Sequence, residues 1–463
     1  MNIVAALFLL LDVLPSQQFE PGSAAQKAAN IASIKQQRGD LDGALTDLNR
    51  AIRLDPKMPE LYNNRGRVEQ KKGDLASALA DFNRAIQLDP KFAFGYANRG
   101  NIERANRNFD EAIENYNRAI NLTFGNDARI YVVRGLAWRA KRAFERARAD
   151  FNHAILLDPK LAEAYAARAS GESDQADFGA AASDYDRAIK LDAKLENAYL
   201  GRAHVEKLQG KLDKAAADIT EAIEINPRNG AAYNDRGNLR RLRSDFQSAL
   251  ADYNRAIELN RDNSLPYTNR AVVYFLQTDW PTALANFSAA ADRSGDQAYS
   301  RLQIWATRVQ MGQVQAADQE LWQYFEHRKN PTNRDWPVRI FLFLHGDITS
   351  TNFLPETNLD EPGKISNTAS MEWFTSGADF AALAEANTPD PTSDSTVPSS
   401  SSQRKLDRGR ICEAWFYAGM KSLSTGDRAA AADCFRNAIK SGETSWIEYQ
   451  LAQAELKFLD GSN

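Results

Sequence analysis

Cysteine is almost missing from these 463 residues: only Cys412 and Cys434 occur, so no disulfide framework organises the fold. Histidine is nearly as sparse. His153, His204, His327 and His345 lie far apart and share no metal-ligand spacing, so neither zinc nor haem is expected, and no cofactor. Neither sign of charge dominates, with 57 basic against 61 acidic residues and a net charge of −4. That balance gives no support to a nucleic-acid or anionic-membrane partner. No apolar run reaches the roughly 20 residues that a membrane span needs. Gly-rich phosphate loops, HExxH, CxxC and GxSxG are all absent, and with them the usual signs of catalysis. The two cysteines fall on the two helices of one expected pair. They sit about 10 Å apart along its axis at 1.5 Å per residue, and read as small buried hydrophobes.

What the chain does have is a period. Hydrophobic residues make up 43% and charged residues 25%, which suits a folded chain. Tyrosines stand at Tyr62, Tyr96, Tyr131, Tyr165, Tyr199, Tyr233 and Tyr267, every interval being 34 residues except one of 35. Alanines keep step at Ala44, Ala78, Ala112, Ala147, Ala181, Ala215, Ala249 and Ala283. Four residues after each comes a large apolar side chain (Leu48, Phe82, Tyr116, Phe151, Tyr185, Ile219, Tyr253, Phe287), and three further on a second alanine. A small residue follows each tyrosine by four positions, as at Gly66, Gly100 and Ala169, and Pro56, Pro90, Pro159 and Pro227 close four of the units. This pattern resembles the tetratricopeptide (TPR) signature, in register over eight units in residues 25–297. The resemblance implies an all-α fold, a right-handed α-solenoid of TPR helix hairpins.

The columns have a mechanical logic. Gly or Ala lets the first helix of a pair lie close to the second, and the following aromatic fills the space between them. Asp40, Asp74, Asp177, Asp245 and Asp279 sit where second helices begin, suited to capping free N–H groups. Arg65, Arg99, Arg134, Arg168, Arg202, Arg236 and Arg270 form a further column. Sixteen residues later stand Asp81, Asn115, Asp150, Asp184, Asp218, Asp252 and Asn286. In a hairpin turning near Gly73, Arg65 and Asp81 are equidistant from the turn. A ladder of pairs inside the hairpins is the structural reading; a ligand-binding polar strip is the functional alternative.

Beyond the eighth unit the pattern decays. Residues 298–354 hold a worn ninth pair, with Trp305, Ala317 and Leu321 in the expected columns, and an apolar helix over Trp336–Leu344. Residues 355–407 are rich in Ser, Thr and Pro and read as a linker, with a short helix near Ala378–Ala386. In 408–463 the columns return as Trp415, Gly419, Ala431, Phe435 and Ala438, followed by a capping helix over Trp446–Leu459. Seven of the eight tryptophans stand at or after residue 280, which suits either irregular packing or a dimer interface. Residues 1–24 carry the run Ile3–Leu11 with Ser23-Ala24-Ala25 behind it, like an export signal and its cleavage site. No Lys or Arg precedes that run and Asp12 interrupts it, so a packed N-terminal helix stays open.

Three C-terminal stretches carry a second resemblance. They are Leu302-Gln303-Ile304-Trp305, Trp336-Pro337 leading into Ile340–Leu344, and Glu413-Ala414-Trp415-Phe416-Tyr417-Ala418-Gly419. Gly426-Asp427, Phe435 and the run from Glu448 through Ala452 to Glu455 extend it. They resemble the NlpI-type TPR lipoproteins of the bacterial cell envelope. That resemblance implies a periplasmic adaptor docking proteases and peptidoglycan hydrolases, often as a homodimer. The lipid-attachment cysteine of those proteins has no counterpart near this N-terminus.

The first helix of each pair has a face that packing does not consume, and in TPR proteins it lines the concave groove. Three rows run along it, through Asn63, Arg67 and Gln70 and their equivalents. Across eight units these 24 positions hold no acid and five Lys or Arg. Asn63, Arg67, Asn101, Arg104, Arg139, Lys207, Asn234 and Arg241 are the candidate peptide-binding residues, expected to point away from the core. An acidic or C-terminal peptide is the ligand this chemistry favours; an ordinary solvated face is the alternative. The chain therefore reads as a non-enzymatic scaffold, exported or periplasmic. A cytosolic scaffold or co-chaperone and an accessory repeat domain of an enzyme are the alternatives.

Overall fold

The hairpins are closed by recurring local devices, although Asn108, Ala143 and Lys211, at the heads of three second helices, make no side-chain cap bond. At the head of the second helices, Asp40, Asp74, Asp177, Asp245 and Asp279 each accept a backbone N–H three residues on, as the sequence predicts. Between the two helices one residue must take a left-handed backbone. Gly39, Gly73 and Gly210 do so with φ of 81°, 86° and 74°, but Arg107, Arg142, Ala176, Ser244 and Thr278 hold the same turn at 60–67°.

The structure, a computed structural model, describes residues 22–295, 297–327, 336–346, 400–442 and 447–461. The N-terminal apolar run and the helix expected near Ala378–Ala386 lie outside them. Among the described residues there are 22 helices and no strand, and no helix is long and apolar enough to cross a membrane. They form two units, one ending at Pro227 and the other beginning at Arg228.

The first unit is six hairpins. They pair α1 (Ala24–Gln37) with α2 (Leu41–Leu54), α3 (Pro59–Lys72) with α4 (Leu75–Leu88), and α5 (Ala93–Ala105) with α6 (Phe109–Leu122). The same pairing joins α7 (Ala128–Ala140) to α8 (Phe144–Leu157), α9 (Ala162–Asp174) to α10 (Phe178–Leu191), and α11 (Glu196–Leu208) to α12 (Leu212–Ile225). Each hairpin also packs on the next. The alanine and aromatic columns are the core: Ala78, Phe82 and Ala85 are sealed from solvent, as are Ala112, Tyr116 and Ala119. Burying one such aromatic is worth about 1.5–3 kcal/mol. The small column leaves no slack, since a Cβ on Gly135 would stand 2.5 Å from Phe151 Cε1. Where Ala169 replaces that glycine, the neighbouring ring leans elsewhere. Tyr185 comes so close to Gly201 of the next hairpin that a Cβ there would lie 2.3 Å from Cζ.

The arginine ladder is built as the sixteen-residue spacing predicts. Arg168 grips Asp184 through Nε at 2.6 Å and Nη2 at 2.8 Å, and Arg65–Asp81, Arg134–Asp150, Arg202–Asp218 and Arg236–Asp252 repeat the fork. Arg99 and Arg270 donate instead to Asn115 and Asn286. A third arm comes from a column that sequence spacing did not single out. The free Nη1 reaches back to the preceding hairpin, to Asn49, Asn83, Asn117, Asn152, Asp186 or Asn254, at 2.5–2.9 Å. Each guanidinium also stands 5.3–5.8 Å over the tyrosine ring of its own repeat.

The second unit holds α13 (Gly230–Leu242) with α14 (Phe246–Leu259), α15 (Ser264–Leu276) with α16 (Trp280–Ala291), and the worn pair α17 (Ala298–Gln310) and α18 (Val314–Glu326). Trp305, Ala317 and Leu321 are buried in that pair as expected. Helix α19 (Trp336–His345) packs on α17, α18 and α20 (Ser400–Ser424), so helix already begins inside the stretch expected as linker. The last hairpin joins α20 to α21 (Arg428–Lys440), and α22 (Ile447–Leu459) packs on both and on α15. Among the tryptophans, Trp305 is buried with Nε1 donating to Asp318, whereas Trp322 is 38% exposed and stacks on His345. Cys412 is fully buried and Cys434 half-buried, with burial pushing the Cys434 thiol up to about 11, far from a reactive thiolate.

Two outcomes follow. Arg168→Ala should destabilise the chain by about 3 kcal/mol, the low end for breaking a buried pair, because the guanidinium is 24% exposed. Thermal and denaturant unfolding of the double variant Arg168→Leu with Asp184→Leu should recover part of that loss, and strict additivity would refute the pairing. Ala176→Gly should raise stability by about 1 kcal/mol by relieving the left-handed turn, and an unchanged melting point would contradict that strain.

Candidate functional site

Helix periodicity sets the three inner rows. Positions five, nine and twelve of each repeat lie on one side of the first helix, and the first helices of neighbouring repeats touch in the first unit. The structure places the candidate residues at very different depths. Asn63, Arg67, Asn101 and Arg104 are 1%, 7%, 1% and 2% exposed, and Asn234 and Arg241, in the second unit, are 7% exposed each. Only Arg139 and Lys207 reach solvent. The expectation that these side chains stand away from the core fails for six of the eight. Spacing assigns a face, but the neighbouring first helices decide how deep that face lies.

Several candidates already have partners inside the protein. Asn98 donates to Asn63 Oδ1 at 2.7 Å, and Asn269 donates to Asn234 at 2.8 Å. Arg139 forks onto Asp174, with Nε 2.6 Å from Oδ2. No acid occupies the rows themselves, yet Asp174 stands one residue beyond the row, on the next first helix, and neutralises Arg139.

A second set of bonds was missed from sequence. Tyr116 donates to Asn101 Oδ1 at 2.8 Å, Tyr253 donates to Asn238 Oδ1 at 2.9 Å, and the Tyr185 and Ser170 hydroxyls share a bond of 2.8 Å. Each tyrosine stands in the core aromatic column, and its partner fifteen residues earlier lies in the middle inner row. The signal was present: Asn or Ser occupies that row wherever the column is Tyr, while Phe151 and Phe287 face Leu136 and Val272. Burial pushes the Tyr116 hydroxyl above its ordinary range, and Arg104 beside it pulls the other way.

What remains on this face of the first unit is a set of donors. Gln36 Nε2, Gln70 Nε2 and Arg104 Nε and Nη2 find no hydrogen-bond partner among the described residues, and neither does Asn101 Nδ2. Gln36, Gln70 and Arg104 recur every 34 residues in the third row, on α1, α3 and α5. All are at least nine-tenths buried. Groups left in this condition cost about 1–3 kcal/mol each, and an acceptor laid along the row would satisfy them. No carboxylate lies in the row, so the arrangement can bind acceptors.

Models of the tetratricopeptide repeat family match residues 31–105, 98–162, 196–229 and 237–277. A TPR protein from Parabacteroides merdae is 22% identical over 54% of this chain and 99% of its own, with a TM-score of 0.40. A thermophilic TPR protein of Thermus thermophilus is 21% identical over 39% of this chain and 98% of its own, with a TM-score of 0.36. PilW, a type IV pilus biogenesis factor, is 17% identical over 44% of this chain and 94% of its own, with a TM-score of 0.39. No curated protein matches the chain. The matched stretches fall on the hairpins described above, and those stretches are tetratricopeptide repeats, a module whose general use is to hold other proteins.

Proposed function

We propose that the chain is a non-enzymatic adaptor whose first unit holds an extended, acceptor-rich segment of a client protein along Gln36, Gln70, Asn101 and Arg104. The observation that carries this reading is the one-sidedness of the row: every unpartnered polar atom just named is an N–H donor. An extended peptide offers a carbonyl at each residue, and an acidic side chain or free C-terminus adds a carboxylate for the Arg104 guanidinium. Lys207, exposed in the same row, adds attraction of the same sign. Arg139 contributes less, because Asp174 holds it.

Placement in the bacterial cell envelope belongs to the same proposal. It is supported by the apolar run Ile3–Leu11 and by the NlpI-like residues from Glu413 to Gly419. Fractionation of a tagged full-length protein tests it, and recovery in the cytosol alone would overturn it.

The groove reading is tested with a labelled Asp/Glu-rich decapeptide bearing a free C-terminus, against a Lys-rich control. The acidic peptide should bind the full chain, and more weakly as salt is raised. Charge reversal at Arg104 would unfold a buried site, so Arg104→Met, which keeps the apolar volume, is the informative change. It should weaken binding about tenfold to a hundredfold, the loss of one charge-assisted hydrogen bond of about 1.5–3 kcal/mol, with circular dichroism unchanged. Equal binding by the folded variant would move the site elsewhere.

A further inference from the structure

The third inner row continues in the second unit with Arg241 and Phe275, and there it is covered. Arg241 Nη1 donates to Gln450 Oε1, on α22, while Arg241 Nε has no partner among the described residues. Phe275 and its neighbour in the middle row, Val272, are 1% and 0% exposed, and they share one apolar cluster with Leu451 and Ala452 of α22. Tyr449, Leu456 and Leu459 pack at the edge of that cluster. Helix α22 therefore lies on the face of the second unit whose equivalent in the first unit is lined with unpartnered donors.

The fit has a built-in weakness. Helix α22 carries Glu448 and Glu455 into burial, 4% and 1% exposed, and neither has an ion-pair partner among the described residues. Glu455 Oε2 accepts 2.6 Å from Gln310 Nε2 of α17, and its Oε1 has no partner among the described residues. Glu448 lies beside Glu413 of α20, itself buried and bonded by Trp336 Nε1 of α19. The titratable groups around this carboxyl pair are Tyr417 and Arg410 of α20 and Tyr299 of α17. Helix α21 brings no charge to it: Arg436 pairs with Asp433 at the surface, and Arg428 and Lys440 are exposed. The one charged side chain of α15, Arg270, is bonded to Asn286 and Asn254.

We propose that α22 is an internal stand-in for a partner helix, seated on the inner row of the second unit and released as the solution turns alkaline. The row it uncovers then takes an amphipathic helix without those two buried carboxyls, with an amide acceptor facing Arg241 and apolar side chains over Val272 and Phe275. Burial raises Glu448 to about 7 and Glu455 to about 8, both above the ordinary carboxylate range near 4.5. The docked state therefore holds protons that a released α22 would lose. Its advantage is complete below about pH 4.5 and falls as the pH rises through 7 and 8. Ionisation of Glu448 also meets Glu413, which repels a second negative charge. The inference stands on the second unit alone and does not depend on what the first unit holds.

Hydrogen exchange on the full chain at pH 5.5 and 8.5 reads the release directly, as protection factors that divide out the intrinsic pH dependence. Protection of α22 should fall about tenfold or more relative to α16 on going to pH 8.5. Glu448→Gln with Glu455→Gln should remove most of that fall, and Glu455→Gln alone should remove part of it if the double variant folds poorly. A fluorescent peptide of residues 447–461 carrying Glu448→Gln and Glu455→Gln, which docks without a proton, should bind the full chain at pH 8.5 and not at pH 5.5, and Arg241→Met should weaken that binding about tenfold. Equal α22 protection at both pH values would overturn the release. Loss of protection without peptide binding would overturn the helix-accepting row.

Discussion

One guanidinium per repeat holds this architecture together. Each arginine of the ladder sits between two helices and faces a carboxylate or amide on its own second helix. In Arg65, Arg99, Arg134, Arg168, Arg202 and Arg270 a remaining nitrogen faces an amide or carboxylate of the hairpin before. A polar side chain in that position must be satisfied on every side or it destabilises the core that surrounds it. The three bonds do so, and they fix the register of helix on helix and of hairpin on hairpin. The apolar columns supply most of the free energy, but Ala and Phe tolerate sliding. A planar fork does not.

The ladder also crowds its surroundings. Glu69 and Glu172 lie 3.8 and 4.0 Å from arginines already engaged by Asp81 and Asp184. One cation cannot satisfy two acids in a half-buried setting, so burial and the nearby aspartate raise both glutamates to about 7. The same physics governs Glu448 and Glu455. Repeats in this chain accept carboxyl groups at the margin of ionisation in both units.

Much of this was legible in the sequence because it is local and periodic. The Arg168–Asp184 pair could be read from sixteen-residue spacing about a turn, and the cap at Asp177 from its place before an apolar run. The depth of the inner face was not legible. Asn63 and Arg104 have polar side chains on the correct face, yet their burial depends on neighbouring hairpins that spacing does not describe. Arg139 looked unneutralised because its partner Asp174 is 35 residues away, one step out of register with the row. The Tyr116–Asn101 bond was recoverable only by comparing two columns that each look ordinary alone. The sequence marked Trp446–Leu459 as a capping helix, but nothing in residues 447–459 states that it returns to α15, more than 170 residues earlier in the chain.

The reach of each arginine into two hairpins sets the unit in which this chain can change length. Between Asn49 and Asp218, cutting at any turn would divide a guanidinium from one of its partners. Removing or inserting one full period leaves an Asn, an Arg and an Asp in the same relation, whatever their numbers. The segment Thr123–Asp127 shows the tolerance of the rule. It holds the one additional residue of the array, yet Arg134 still reaches Asn117 at 2.7 Å, seventeen residues back where other arginines reach sixteen. Growth and loss by whole repeats are therefore neutral to the bonding pattern, and slack gathers in the loops between hairpins.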